Sequence, residues 1–310
     1  MHLSWRQLEV FRAFAYSQNV SETARLLHIS QPAVSQMLRD IEIQVGFALV
    51  QRSRGRSKLT PEAMTLLPDV ERILAQMLSL RGRAAEIKDA NAGSLTIASV
   101  PTLFAELLPQ ILLSFRAEHQ KVRLCVSTLS AEDVVKHVRQ DTADVGFAFL
   151  PIDEINVAVL PLIKMRVICV VPKGHPLATR AALTVSDLND QLVIVQGAQT
   201  PPGFVLRESL APESAEWRVL ETNQSTSALH LVKHGLGVAL IHPLTLSLDM
   251  MDYVVPIRFE PAVELTLGMI YPRSRTVPRV VVRFEKHARQ CAHVFCHTMR
   301  MKGLDCEPLI

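Results

Sequence analysis

The sequence predicts an α/β protein in three parts: a small helical module closed by a hairpin, one long helix, and a larger two-lobed α/β body. Three patterns carry that expectation. Short helix-period segments crowd the first 45 residues, an apolar seven-residue spacing runs through the next thirty or so, and from Ser94 onward strand-like and helix-like runs alternate. The length of 310 residues exceeds one ordinary domain of ~150 residues. With 48% hydrophobic and 20% charged residues, the chain can build real cores, and disorder or a collagen-like structure is excluded.

No apolar stretch approaches the ~18 residues that a membrane span needs, and Arg6 and Glu9 interrupt the apolar pattern of the opening residues. A cytoplasmic protein with no membrane partner is expected. The five cysteines, Cys125, Cys169, Cys291, Cys296 and Cys306, are odd in number, sparse and late, which suits reduced thiols better than a disulfide framework.

The formal net charge of +3 is unevenly placed. Residues 1–62 carry eight basic and five acidic side chains, so the remaining 248 residues balance to zero. Four of the eight, Arg52, Arg54, Arg56 and Lys58, fall together with no acid among them. A small nucleic-acid module attached to a neutral body has that asymmetry, and a solvated basic loop shares it.

In the N-terminal module, Leu8, Phe11, Phe14 and Ala15 recur at helical spacing and predict a first helix ending near Ser17 to Asn19. A second is expected to start with Ser21 as its cap and to run to Leu27. Ser30 caps a third, with Pro32 in its first turn, where a missing N–H costs nothing, and with Val34, Met37, Leu38 and Ile41 on one face. Two short helices joined by so brief a turn form a helix-turn-helix. Gln31, Ser35, Gln36 and Arg39 lie opposite the apolar stripe and are side chains able to bond base edges and phosphates in a major groove. Two short strands around Ser53-Arg-Gly-Arg-Ser57 make a basic wing, whose arginines suit the backbone or the minor groove.

The stretch Ala24-Arg-Leu-Leu-His-Ile-Ser-Gln-Pro-Ala-Val-Ser-Gln-Met-Leu-Arg-Asp-Ile-Glu42, with Leu49-Val-Gln-Arg52 and Leu59-Thr-Pro61 behind it, resembles the winged helix-turn-helix of LysR-type transcriptional regulators. The resemblance implies that Gln31, Pro32 and Ser35 occupy DNA-facing positions, with Arg39 and the wing arginines Arg52, Arg54 and Arg56 on or near the backbone. Gln36 stands where the family commonly has a basic residue, Val50 where it favours Phe, and Ala63 where it usually has Gly.

Pro61 and Glu62 suit the start of a long helix. Leu66, Ile73, Leu80 and Ile87 lie seven apart, with Val70, Met77 and Ala84 as a second row, which are the d and a positions of a coiled coil. Either a partner helix or the helix's own domain can cover those rows. A helix of roughly 28 residues spans ~42 Å and ends at Asn91-Ala-Gly93. A dimer also matches a pseudo-palindromic site and doubles the phosphate contacts.

From Ser94 a largely parallel sheet is expected, with strands at 95–98, 122–126 and 144–149 and helices at 103–115 and 132–139. A second set follows, with strands at 167–171, 192–195, 217–221 and 238–241 and a helix at 226–234. A returning strand at 265–270 and a last helix at 277–298 suggest two lobes around a cleft. Ala143-Asp-Val-Gly146, Val171-Pro-Lys-Gly-His-Pro-Leu177 and Leu231-Val-Lys-His-Gly-Leu-Gly-Val-Ala-Leu-Ile-His-Pro243, in that order, resemble the effector-binding domain of the same family, which is similar to periplasmic solute-binding folds. The expected divisions are a DNA-binding domain at 1–62, a linker helix at 63–92, an effector-binding domain at 93–303 and a tail at 304–310. Lobe I takes 93–165 and 267–303, and lobe II takes 166–266.

A ligand in such a body belongs beyond the carboxyl ends of strands, where helix N-termini aim N–H groups at it. Strand ends and position in the family's cleft nominate Ser99, Thr102, Thr128, Phe147, Gln199, Thr200 and Phe204, with Asn223 and His242 behind them. Alternatively, Ser99 and Thr102 only cap a helix and the phenylalanines are core. Small carboxylates, aromatic acids and amino-acid-like metabolites all suit such a set.

Gly235-Leu-Gly237 follows a helix and precedes a strand, the wrong order for a dinucleotide loop. Cys291, His293, Cys296 and His297 sit on one helix whose rotation keeps all four from one metal. No cofactor and no catalytic constellation is expected. The leading expectation is a DNA-binding regulator controlled by a small-molecule effector. Double-stranded promoter DNA, the effector, further copies of the chain as dimer or tetramer, and RNA polymerase are its expected partners. A cytosolic solute-binding module with a helical adaptor, or an enzyme with a helical appendage, are the alternatives.

Overall fold

Four side-chain caps divide the first part of the chain. The computed structural model describes the backbone of residues 2–53, 56–88, 93–211, 214–273 and 277–309, and these form two compact units, Met1–Arg81 and Gly82–Ile310. Ser4 opens α1 (Trp5–Ser17) in a reciprocal capping box with Gln7. The second helix, α2 (Val20–Leu27), starts earlier than expected. Asn19, not Ser21, is its cap, because the Asn19 carboxamide accepts from the amides of both Ser21 and Glu22. Ser30 caps α3 (Gln31–Val45), which stops at Gly46 in the left-handed region at φ 83°.

The wing consists of β1 (Val50–Ser53) antiparallel to β2 (Arg56–Leu59), with Val50 opposite Leu59. Thr60 then opens α4 (Pro61–Lys88) by accepting from the Ala63 amide at 3.2 Å. Val10, Phe11, Phe14, Val34, Leu38, Ile41 and Leu49 form the core of this unit, joined by Ala63, Val70 and Leu74 of α4. The start of α4 therefore packs on its own domain. Among and beyond these buried residues, Ile73, Met77 and Leu80 of α4 remain exposed.

In the second unit, β3 (Gly93–Ser99), a 3-10 turn (Pro101–Ala105), α5 (Leu107–Glu118), β4 (Val122–Thr128), α6 (Ala131–Arg139), β5 (Val145–Phe149) and β6 (Val157–Arg166) come first. Then β7 (Ile168–Pro172), β8 (Ala182–Thr184), β9 (Leu192–Gln196), α7 (Pro201–Leu210), β10 (Arg218–Thr222), α8 (Ser225–Lys233), β11 (Val238–Ile241) and β12 (Val254–Glu260) build the other lobe. The chain returns through β13 (Glu264–Pro272), α9 (Arg279–Met301) and β14 (Cys306–Pro308).

Two six-stranded sheets result, in the orders β14-β6-β13-β5-β3-β4 and β10-β9-β11-β7-β12-β8. Both are mixed rather than largely parallel: β3 runs parallel to β4 and β5, but β13 runs antiparallel to β5 and β6, and β7 antiparallel to β11 and β12. The chain crosses from one sheet to the other between β6 and β7 and returns between β12 and β13. The two crossovers touch where the Val167 amide donates to the Val263 carbonyl at 2.8 Å. Within residues 304–309, Cys306 to Pro308 pair with β6 at the sheet edge.

Candidate functional site

Two surfaces carry the side chains nominated from the sequence. On the first unit, Gln31 and Pro32 are exposed in the opening turn of α3, Ser35 is half-buried one turn on, and Gln36 and Arg39 are exposed beyond it. Their order follows from the helix: Val34, Leu38 and Ile41 are drawn into the core, which turns the intervening polar residues outward. The Gln36 side chain donates to Asp40 at 2.8 Å and accepts from the Arg39 guanidinium at 3.3 Å, while Arg39 Nε donates to the Ser35 carbonyl at 3.3 Å. Arg39 is thus laid along the helix with donors left for a phosphate. Arg54 lies outside the described residues, and Arg52 and Arg56 are placed on β1 and β2 by backbone register alone.

Glu42 was not anticipated. Its carboxylate accepts from the amides of Leu49 at 2.7 Å and Val50 at 3.2 Å, tying the first strand of the wing to α3. Thr60 holds the other side, donating its hydroxyl to the Ala48 carbonyl at 2.7 Å. Nothing in the spacing of Glu42 distinguishes it from a solvated helix residue, and only the fold brings the two amides to it.

On the second unit, a cavity of about 960 Å³ opens between the two lobes. Of the nominated residues, Thr102, Thr128, Gln199 and Thr200 line it, and so does Asn223. Ser99, Phe147 and Phe204 do not. Ser99 is fully buried with its hydroxyl donating to the Val100 carbonyl at 3.1 Å, and Phe147 is buried edge-on against Phe284 of α9. Phe204 is half-exposed on α7 and is not among the lining residues. The aromatic wall is supplied instead by Phe149, at the carboxyl end of β5. The sequence also did not single out Lys136, Arg139, Asp153 and Gln224 of the lining.

Several helical N-termini converge on this space: the 3-10 turn at Pro101, α6 at Ala131, α7 at Pro201 and α8 at Ser225. Ser130 and Thr200 spend their hydroxyl oxygens as caps, accepting from Asp133 at 3.1 Å and Gly203 at 3.2 Å. The 3-10 turn and α8 have no side-chain cap; Pro101 brings no N–H and the Leu103 amide donates to the Val100 carbonyl at 3.3 Å, so the turn offers a guest the Thr102 amide, and α8 offers those of Ser225 and Thr226. Arg139 is committed elsewhere: it pairs with Asp153 at 2.8 Å and donates to the Ile155 carbonyl at 3.0 Å, and the Ile155 amide, joined by the Arg139 guanidinium, holds Asp153 below the usual carboxylate range.

Beneath the cavity lies a buried polar network. The Thr102 hydroxyl is 3.3 Å from that of Ser225, which accepts from Thr245 at 2.9 Å and is 3.3 Å from His242 Nε2. The His242 ring lies 4.3 Å from that of Phe149, and its complete burial pushes its pKa down to about 3, so the imidazole is neutral. Polar and uncapped groups around a part-apolar space fit noncovalent capture of a small anion. Among the described residues, no helix is long and apolar enough to cross a membrane.

Two family models match this chain: the bacterial regulatory helix-turn-helix protein of the lysR family over residues 5–64, and the LysR substrate binding domain over residues 88–292. The regulatory protein NocR of Agrobacterium fabrum strain C58 is 27% identical over 283 residues, covering 90% of this chain and 93% of its own. The transcriptional activator protein LysR of Escherichia coli K12 is 28% identical over 287 residues, 91% of each chain. Full-length CbnR, crystallised in complex with its target DNA, shares the fold with a TM-score of 0.75 at 20% identity, over 93% of this chain and all of that one.

Proposed function

The chain belongs to the LysR family, and from that premise we propose which of its residues read DNA and what its cleft takes. It is a DNA-binding transcriptional regulator with an effector-binding domain. In the proposed assignment, Gln31, Pro32 and Ser35 meet base edges in the major groove. Arg39 and the wing arginines Arg52, Arg54 and Arg56 meet phosphates, with Gln36 steering Arg39. Glu42 acts through the wing it anchors.

The effector is a small molecule with a carboxylate or similar anionic group. The observation that carries this reading is the pair of N-termini without side-chain caps, one from each lobe, opening on a single cavity. Thr102, Thr128, Gln199 and Asn223 then supply hydrogen bonds to the rest of the molecule, and Phe149 an apolar wall. Because Thr102 and Ser225 belong to different lobes and already meet, a guest that takes over one of those hydroxyls changes the balance between two lobe arrangements. Only such a difference in affinity produces control.

The exposed apolar row on α4 favours a homodimer through that helix, and further pairing gives the tetramer. The regulator performs no catalysis in this reading and works in the cytoplasm, where its DNA is.

The test is binding of the full chain to its own upstream DNA across a salt series, then the same assay with a panel of small carboxylates. Site-specific binding with a steep salt slope, weakened by both Ser35→Ala and Arg54→Ala, supports the assignment. A Thr102→Ala/Thr128→Ala variant that still answers the effective carboxylate in full removes the cleft assignment.

A further inference from the structure

We propose that Glu118, His119 and His287 form a binding site for a divalent transition ion, Zn²⁺ by size and donor set, at the end of α5 remote from the effector cleft. One ring nitrogen from each histidine and one carboxylate oxygen of Glu118 lie within 4.8 Å of one another. The residues come from two elements: Glu118 ends α5, His119 is its C-cap, and His287 reaches them from α9. Since α5 returns from β3 to its parallel neighbour β4, its C-terminus lies at the amino ends of these strands, opposite to the ends that bear the cleft.

The donor chemistry suits a borderline ion. Zn²⁺ takes imidazole nitrogen and carboxylate oxygen at ~2.0–2.2 Å, which sets ligand atoms a little over 3 Å apart in a tetrahedron. His287 Nε2 is already 3.7 Å from Glu118 Oε2, and Glu118 is exposed at a helix end, where it has room to close the remaining distance. His287 is buried, and its Nδ1 lies 2.7 Å from the Ser114 hydroxyl, which leaves Nε2 turned toward the cluster. An outer partner on the second ring nitrogen is the usual way a protein orients a metal-binding histidine.

The second observation is independent of that geometry. Among the described residues Nδ1 of His119 is buried and has no hydrogen-bond partner, an arrangement proteins seldom tolerate without an ion or water to answer it. Phe115 holds both imidazoles in place, with ring centroids at 4.6 Å from His119 and 5.6 Å from His287. Against the site stands the positive charge of Arg283, also on α9, which acts on His119. The Glu118 carboxylate offsets it. With three protein ligands, a fourth position is left to water. The closely spaced Cys291, His293, Cys296 and His297 form no such group: Cys291 and Cys296 are buried in α9, and His293 and His297 are exposed on its other side.

The experiment is metal retention by the full chain, stripped with chelator, dialysed against Zn²⁺ and analysed by mass spectrometry. Affinity is read by competition with a chromophoric chelator, and coordination by the visible spectrum of the Co²⁺ form. The expected result is one ion per chain. Affinity should fall at least ~10-fold in Glu118→Ala and in His119→Ala, and ~10-fold in Ser114→Ala through loss of the outer partner. His293→Ala, on the exposed side of the same helix, should change nothing. Glu118 is exposed, so its variant folds whatever the fate of the buried histidine. Failure to retain Zn²⁺, or retention with unchanged affinity in both Glu118→Ala and His119→Ala, overturns the proposal, the latter by locating the ion among other histidines and cysteines.

Discussion

The hydroxyls of Thr102 and Ser225 meet at 3.3 Å between the first 3-10 turn of one lobe and the start of α8 in the other. Both side chains are buried, and Ser225 also serves Thr245 and His242. Replacing Ser225 with Ala therefore strands several buried polar groups at once. A loss of ~1–3 kcal/mol is expected, seen as a lower thermal midpoint of the effector-binding domain. An unchanged midpoint would show that the network is not what joins the lobes.

His242 gives a stability dependence with a definite sign. In the folded domain its pKa is pushed down to about 3, whereas an unfolded histidine titrates near ~6.5. Between those values the unfolded chain binds a proton that the folded one refuses. Acid therefore favours unfolding, and stability is lost as pH falls from ~6.5 toward ~3, by up to ~1.4 kcal/mol per pH unit from this group. His242→Gln removes the titrating ring. Denaturation series from pH 6.5 to 4.5 should give a shallower slope for the variant than for the parent, and parallel slopes would contradict the burial argument.

The small N-terminal unit was largely legible because its signals are local. Ser30, Pro32 and Gly46 begin and end α3 by side-chain capping and backbone conformation, which a sequence displays directly. The effector domain hid more. Strand β6 carries Pro161 in its middle, which reads as a strand breaker, yet it sits opposite Gly268 at a register shift where the ladder is already interrupted. Pro256 hid β12 in the same way. It is tolerated because β8 pairs with that strand only from Arg258 onward, so one side is open at Pro256. The doubled Pro201-Pro202 reads as a loop but forms the first turn of α7, where no N–H is required.

The cleft was half legible for a related reason. Strand ends and position in the family's cleft nominated Thr102, Thr128, Gln199 and Thr200, all of which reach the cavity. Phe147 and Phe149 share one parity along β5, and no sequence pattern tells which is covered by α9 and which stands at the open end. Lys136 and Gln224 enter only because α6 and α8 start at the same cavity.

Gly203 tests how closely α7 must approach the strand before it. A Cβ there would lie 2.2 Å from the Gly197 carbonyl oxygen and 2.3 Å from that of Gln196. Backbone cannot yield as a side chain can, so Gly203→Ala must lift the first turn of α7, and with it the Thr200 cap, away from the cavity wall. A destabilisation of ~1–3 kcal/mol is expected from overpacking. Calorimetry of the variant checks it, and a parent-like midpoint would mean that α7 has slack at its start.

Glu42 separates anchoring from reading. Without its carboxylate, the amides of Leu49 and Val50 lose their acceptor and the wing loosens. Glu42→Ala should weaken binding to specific and unrelated DNA alike, because wing contacts with phosphates carry no sequence information. Ser35→Ala should weaken binding to the specific site alone. Fluorescence anisotropy with both DNAs distinguishes the two, and a Glu42 variant that loses only specific binding would assign it to base reading instead.

The apolar positions of α4 divide by where they are buried, and that division predicts the dimer. Val70 and Leu74 are buried in the N-terminal unit, whereas Ile73, Met77 and Leu80 are 44%, 36% and 53% exposed. Three large apolar side chains along one stretch of helix favour a second helix over water, at roughly 25 cal/mol for each Å² covered. Ile73→Lys with Leu80→Lys leaves the buried pair untouched and places like charges on both copies. Sedimentation at micromolar concentration should then show monomer in place of dimer, with the N-terminal unit still folded by circular dichroism. Affinity for a two-half-site DNA should fall by much more than affinity for a single half-site, since only the former requires two readers held together. A variant that sediments as the parent does would move the dimer contact off this helix.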